Sequence, residues 1–414
     1  MKDSLLWESR LVLATAHRRP EGSHVLRELT DAGWDGSVDW PLLIYLAQRE
    51  SALPALVHAL TATRRSHPGL DIDDDGLKAM QRLRLTHALR LGEMQRKLRR
   101  LAAECESASI PLVLLKGSGL VHALDLPVID RPMWDVDLLV HPEHSSAVWE
   151  IARGLDWAHR ANSVQEEVYE EHHHLPPLVD GSGLFLGLEI HTEIFQKENP
   201  FHFAARDLWR EAVPIGALPG TLRPSWEHML IHNSIHFAWS HALESGTWKA
   251  LRDTGLLVTR PELQWDQVVR TARQAKAEST LWWTLHLATE WGNVPVDPDW
   301  LETLEAPTPK PIIALVRKHY AQMFAPPSRA PRPPVKIRQL IWEAALRPGR
   351  SEHGTIRPWA RTDAWKSAGI ETKVGEDSPA DSSAPDSLTP PSPVRRRLDR
   401  VVETTAYVRG LLGK

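Results

Sequence analysis

The hydrophobic pattern of this 414-residue chain changes period twice, and no other feature restricts its fold as much. On either side of residues 110–195 apolar side chains recur at helical spacing, whereas inside that window they form short strand-like runs. "IPLVLLKG", Ile110 to Gly117, is continuously apolar and ends in glycine, as a buried strand entering a turn does. "MWDVDLLV", Met133 to Val140, alternates: Trp134, Val136, Leu138 and Val140 share one face, and Asp135 and Asp137 the other. In "LFLGLEIH", Leu184, Leu186, Leu188 and Ile190 oppose Glu189 and His191. This run forms one arm of a hairpin whose turn is Asp180-Gly181-Ser182-Gly183. So few short strands make a small sheet, which the flanking helices must cover.

The flanks have their own punctuation. In "DWPLLIYLAQRESALPALVHAL", Asp39 can cap a helix and Pro54 breaks or kinks it. The next segment, "GLKAMQRLRLTHALRLGEMQRKLRRLAAEC", reads as one long amphipathic helix with Leu83, Leu85, Leu89, Leu91 and Leu98 on its apolar side. Its many Lys and Arg residues read as the solvated face. From about 205 to 345 the pattern is helical again, clearest in "SWEHMLIHNSIHFAWSHAL". Beyond it, "GEDSPADSSAPDSLTPPSP" lacks the apolar side chains to pack and reads as a disordered linker. "VRRRLDRVVETTAYVRGLLGK" regains helical periodicity, as a segment that docks back or binds a partner would.

Composition narrows the function. A net charge of −4 supplies no basic field for long nucleic acid. Cys105 is the only cysteine, which excludes intrachain disulfides and Cys-based zinc sites and fits a cytoplasmic setting. No signal-peptide pattern and no apolar run long enough to span a membrane is visible.

The chemistry sits on the polar face of the strands. Asp135 and Asp137 point the same way, roughly 7 Å apart along an extended strand. Two anions so placed raise each other's pKa unless a cation joins them, and a divalent ion with oxygen ligands is the natural partner. Glu189 completes a three-carboxylate cluster if its strand neighbours theirs, with His191 a rival on the same face. Upstream, "LLKGSG" places small residues where a helix begins, exposing amides to an anion; Lys116 and Ser118 add a charge and a hydroxyl. Strand, Lys-Gly-Ser, helix, acidic pair and third acid together make a two-metal phosphoryl-transfer layout.

At these residues the chain resembles the nucleotidyltransferase superfamily of DNA polymerase β and the kanamycin-type nucleotidyltransferases. It is most similar to an uncharacterised bacterial family that reads Lys-Gly, then Arg, then Asp-x-Asp-Leu-Leu-Val. Here those are Lys116-Gly117, Arg131 and Asp135 to Val140. The resemblance implies an α+β fold, a small mixed sheet core at 106–215 between helical regions at 1–105 and 216–345. A largely disordered linker at 346–393 and a C-terminal amphipathic helix at 394–414 would follow. It further implies that Asp135, Asp137 and Glu189 are catalytic and bind two Mg²⁺ ions, with Mn²⁺ as the alternative. Lys116, Gly117, Ser118 and Arg131 would contact the phosphates of an NTP, expected to be ATP. The implied reaction transfers a nucleoside monophosphate to a hydroxyl or phosphate of a small molecule or peptide, in a biosynthetic setting; the C-terminal helix, beyond the reach of the resemblance, reads as a contact for a protein partner. Two other readings are a catalytically silent nucleotide-binding scaffold on the same fold and a toxin-type transferase acting on protein or tRNA.

The histidines are subordinate to this. His228, His232 and His236 share a helical face, yet there is no HExxH pattern, so packing is expected for them. His191, His232 and His236 are the candidates for the acceptor pocket. His172, His173 and His174 read as a local polar cluster, and Asp253 in "LRDTG" as a cap or ion pair.

Overall fold

The computed structural model describes residues 5–17, 26–159, 172–184, 186–197, 199–323, 335–346 and 405. The linker expected at 346–393 and the helix expected at 394–414 lie outside these, Leu346 and Thr405 excepted.

The amino-terminal region is helical, as its pattern requires: α1 (Trp7–Ala14), α2 (Arg27–Asp31), α3 (Trp40–Arg49), α4 (Leu53–Ser66) and α5 (Asp74–Ser107). Asp39 caps α3 by accepting from the Leu42 amide, and Asp73 caps α5 by accepting from the Gly76 amide. Pro54 breaks the periodic run and opens α4 in the first turn, where its missing N–H is harmless. The stripe of α5 differs from the one expected. Leu91 and Leu98 are buried with Leu77, Met80, Met94 and Leu101, while Leu85 and Leu89 are 61% and 67% exposed. The buried set follows 3.6-residue spacing, and Leu85 and Leu89 fall off that line although they are leucines.

The sheet comes next in the chain. It is built from β1 (Leu112–Leu114), β2 (Asp135–Leu139), β3 (Trp157–His159), β4 (Leu178–Asp180), β5 (Gly187–His191), β6 (Val213–Pro214) and β7 (Thr221–Arg223). Helices α6 (Lys116–Ala123), α7 (Ser145–Gly154) and α8 (Ala205–Arg210) are interleaved with the strands. The spatial order is β3-β4-β5-β2-β1-β7-β6, with β2 parallel to β5, β1 parallel to β7 and the other pairs antiparallel. The fold is thus α+β with a small mixed sheet. The hairpin expected around Asp180 is the β4–β5 pair. The β6–β7 pair adds strands where the sequence reads as helical, because runs of two and three residues carry no detectable period.

After the sheet come α9 (Trp226–Ile235), a π-helical turn (His236–Ser240), α10 (Thr247–Val258), α11 (Trp265–Gln274), α12 (Glu278–Gly292), α13 (Pro298–Leu304), α14 (Lys310–Met323) and α15 (Val335–Leu346). Among the described residues two apolar clusters hold the molecule. In one, Leu112, Leu114, Val136, Leu138, Leu188 and Ile190 pack with Leu91, Met94 and Leu98 of α5 and Val148 and Ala152 of α7. In the other, Val113, Leu115 and Leu139, from the opposite face of the sheet, join the buried residues of α1, α3, α4, α9, α10 and α12. The amino- and carboxy-terminal helices therefore share one core. Trp248 illustrates it: its indole N–H donates to Thr15 Oγ1 at 3.0 Å and its amide to Glu50 Oε2 at 3.2 Å.

Candidate active site

The parallel pairing of β2 and β5 fixes the site. In register, Asp137 lies opposite Glu189 and Asp135 opposite Gly187. Side chains alternate identically on both strands, so Asp135, Asp137, Glu189 and His191 all face the helical side. Gly187 leaves room there, since a Cβ at that position would lie 3.2 Å from the Asp135 Cβ.

The end of β1 brings the first cation. The Leu115 amide donates to the Asp137 carbonyl at 3.0 Å, and α6 starts at the next residue. Lys116 has a φ of 48°, a left-handed geometry that costs a non-glycine residue on the order of 1 kcal/mol. From there its Nζ donates to Asp137 Oδ1 at 2.6 Å. The first intrahelical bond of α6 runs from Gly119 N to Leu115 O, so the amides of Lys116, Gly117 and Ser118 are those a helix start leaves over. Ser118 is 2% exposed and its hydroxyl donates to the Leu115 carbonyl at 2.7 Å; what remains to offer an anion is its amide. Gly117 is required by Arg131, whose Nη1 would lie 2.7 Å from a Cβ there.

Arg131 is itself held. Its Nε and Nη2 donate to the two carboxylate oxygens of Asp253 at 2.8 and 2.6 Å, a buried bidentate pair between the sheet region and α10. The ion pair anticipated for Asp253 is therefore present, with its partner on the other side of the cavity. One turn earlier on α10 stands Lys249, which also lines the cavity and has no ion-pair partner among the described residues.

The cavity between sheet and helices measures about 300 Å³, ordinary for a small-ligand site. Lys116, Arg131, Trp134, Asp135, Asp137 and Glu189 line one side; Asn233, His236, His241 and Lys249 line the other. Trp134 is 42% exposed, and the Arg90 guanidinium lies 3.4 Å over its ring. The π-helical turn carries His236 to the wall, where its Nε2 lies 3.1 Å from that of His241. Such turns occur frequently at functional sites.

The electrostatics are uneven. Burial, then the charges of Asp137 and Glu189, push the Asp135 carboxyl up to about 6. Asp137 is also buried, but Lys116 and a hydrogen bond from His191 hold it well below the ordinary carboxylate range. The His191 Nε2 lies 3.1 Å from Asp137 Oδ1 and 3.4 Å from Glu189 Oε2. Burial opposes protonation of His191, yet these two contacts raise its pKa overall. Burial and the neighbouring Lys116 push His232 down to about 3, and burial first, then Lys249, does the same to His241.

The structure thus gathers Lys116, Gly117, Ser118, Arg131, Asp135, Asp137 and Glu189 around one cavity. Of the three candidate acceptor-pocket histidines only His236 reaches it. His191 lies behind Asp137, and His232 packs against Phe195 and Phe203. Nothing in the sequence alone marks Lys249, His241 or Asn233 beyond the spacing of Lys249 and Asp253, one helical turn apart behind a histidine-rich helix.

A family model described as an uncharacterised nucleotidyltransferase matches residues 36–293, more than half of the chain and the whole of this site. No curated protein and no solved structure matches.

Proposed function

The chain belongs to the uncharacterised nucleotidyltransferase family, and on that premise we propose that it transfers a nucleoside monophosphate, with ATP as donor, to a hydroxyl or phosphate of a small molecule or peptide. The observation that carries this reading is the register of Asp137 against Glu189, with Lys116 and the start of α6 beside them. A placement within the polymerase β superfamily belongs to the same proposal.

The donor set suits a hard divalent cation. Ligand atoms of Asp137, Glu189 and His191 lie within 4.8 Å of one another, and Asp135 is an acid that its surroundings make reluctant to ionise. Asp135, Asp137 and Glu189 would hold Mg²⁺, and the imidazole makes Mn²⁺ acceptable as well. When bound, the metal would acidify the acceptor hydroxyl and neutralise charge on the transferred phosphate.

The chain's own residues do the rest. The amides of Gly117 and Ser118 and the side chains of Lys116, Arg131 and Lys249 would orient the triphosphate and offset charge developing on the leaving pyrophosphate. Asp253 fixes the guanidinium of Arg131 in place for that task. Glu189 would take the proton from the acceptor oxygen as it attacks the α-phosphorus and the bond to pyrophosphate breaks. Trp134, with Arg90 on one ring face, would present its other face to the nucleobase. In this reading the core at 106–215, joined by Lys249 of α10, supplies the phosphate side. The helical region at 216–345 supplies the acceptor side through Asn233, His236 and His241.

The test is pyrophosphate release from labelled NTP and Mg²⁺ in the presence of a cell extract as acceptor source. Release is expected from the native chain and not from Asp137→Asn, whose folding is checked by circular dichroism. No release with any of the four NTPs, or equal release from the variant, would overturn the proposal.

A further inference from the structure

The second concentration of ligand-type side chains lies behind β5 and takes no part in the chemistry above. His172, His173 and His174 are consecutive, so an extended strand would send the middle ring to the opposite face. Instead the first two occupy bends, and the three rings converge, with centroids 4.1, 4.3 and 4.7 Å apart. One ligand-type nitrogen from each lies within 4.8 Å of the other two. The backbone holds them there. The His173 carbonyl accepts from the amides of Thr192 and Glu193 at 2.9 and 3.1 Å, and the Leu175 amide donates to the Ile190 carbonyl at 2.9 Å. His174 also forms a β-bridge with His191.

We infer that His172, His173 and His174 form a binding site for one divalent transition-metal ion of the zinc class, separate from the carboxylate cluster. Three imidazoles with further coordination positions left for water or another ligand suit zinc, cobalt and nickel, and suit Mg²⁺ poorly. His174 is already set for the role. Its Nδ1 lies 2.7 Å from the Leu175 carbonyl and so carries the proton, which leaves the Nε2 lone pair as the donor. His172 and His173 are only partly buried, which leaves an ion a route in.

Position gives the site a consequence. The His191 ring lies 5.3 Å from those of both His173 and His174, and its other edge meets Asp137 and Glu189. An ion bound by the three histidines would cross-link the segment that braces the end of β5. It would thereby stiffen the strand that carries Glu189.

The experiment is a Co²⁺ titration of the full chain, stripped with chelator, in excess Mg²⁺, followed by visible absorption and by melting temperature. One equivalent is expected, with the bands of an imidazole-bound ion and a rise in melting temperature, in the native chain and in Asp135→Asn alike. His173→Asn and His172→Asn, each checked for folding by circular dichroism, should weaken binding by more than about 100-fold, beyond the loss of a second-shell partner. Zn²⁺ should displace the Co²⁺. Absence of binding, several weak equivalents, or binding untouched by either histidine substitution would overturn the inference. So would binding abolished by Asp135→Asn, which would put the ion at the carboxylates. None of these outcomes depends on pyrophosphate release, so this site and the transferase reading fail separately.

Discussion

On one face of β2 and β5, Val136, Leu138, Leu188 and Ile190 are buried in the same apolar cluster as α5 and α7. On the other face Asp137 and His191 are just as hidden, at 4% and 2% exposure, and Asp135 and Glu189 stand beside them. The same two strands thus build one surface that stabilises the fold and one that works against it. Apolar burial lowers free energy without needing a ligand, whereas gathered carboxylates raise it until a cation arrives. The difference teaches where to look for function: the face that physical chemistry disfavours is the one we propose as the substrate site.

Neighbouring substitutions on β2 should therefore separate activity from stability. Asp137→Asn is expected to reduce pyrophosphate release by about 10³-fold, the upper range for losing one electrostatic contact at a reacting centre, in a chain that stays folded and melts somewhat lower because Lys116 loses its counterion. Leu138→Ala, one residue on, should cost about 2–5 kcal/mol of stability in a denaturant titration while the folded fraction keeps its turnover. A Leu138→Ala chain that is stable but inactive, or an Asp137→Asn chain that is unfolded, would collapse the contrast.

The helical wall extends the comparison, because its charges come in a buried pair and a solitary lysine. Truncating Asp253 to Ala would strand Arg131 in a site where both partners are nearly inaccessible. A loss of roughly 3–5 kcal/mol is expected on thermal or chemical unfolding. Activity should fall as well, because Arg131 would no longer be held against Gly117.

These two walls were not equally legible in the sequence. The alternation of "MWDVDLLV" and "LFLGLEIH" fixes which residues share a face, because strand geometry is local. That the two strands pair in parallel with Asp137 against Glu189 is a long-range fact, and alternation alone leaves Glu189 and His191 as rivals. The structure gives both a place, Glu189 at the cavity and His191 behind it. Lys249, His241 and Asn233 were illegible for a different reason. They lie more than ninety residues from Asp135, on α9, on α10 and in the turn that leads into α10, whose placement depends on the core shared by α1, α9, α10 and α12. Leu85 and Leu89 show the opposite error, in which residue type suggests burial and helical phase denies it.

The acidic face makes a further prediction with a definite sign. With its pKa raised from 3.8 to about 6 by burial and two neighbouring anions, folded Asp135 binds a proton that the unfolded chain has already released. Stability must then fall as pH rises from about 4 through 6, and the full penalty, about 3 kcal/mol at 1.36 kcal/mol per unit, applies above that range. Asp137 has the opposite sign: its depressed pKa adds stability above pH 4 that is lost on acidification. In chelator, Asp135→Asn should therefore melt higher than the native chain at pH 7 and converge with it near pH 4. Saturating Mg²⁺ should narrow or reverse that order, since only the native chain keeps all three carboxylates for the ion. A variant that melts lower than the native chain in chelator at pH 7 would mean that Asp135 is satisfied without a ligand.

The smallest effect sharpens the comparison most, because it sets two lysines of one cavity against each other. Lys116 already neutralises Asp137 at 2.6 Å, while Lys249 has no ion-pair partner among the described residues and burial lowers its pKa. A partly buried cation without a close ion-pair partner carries a cost that an incoming phosphate would relieve. Lys249→Gln is thus expected to weaken NTP binding by about 1.5–3 kcal/mol, roughly tenfold to hundredfold, while leaving the ligand-free chain as stable as before or slightly more so. Lys116→Gln should do the reverse in the ligand-free chain and destabilise it, since Asp137 would lose its lysine contact. Calorimetric titration with a non-hydrolysable NTP, alongside denaturant unfolding of the same two variants, measures both halves. Equal losses of affinity and stability in the two would show that Lys249 is ordinary ion-pair scaffolding and takes no part in holding phosphate.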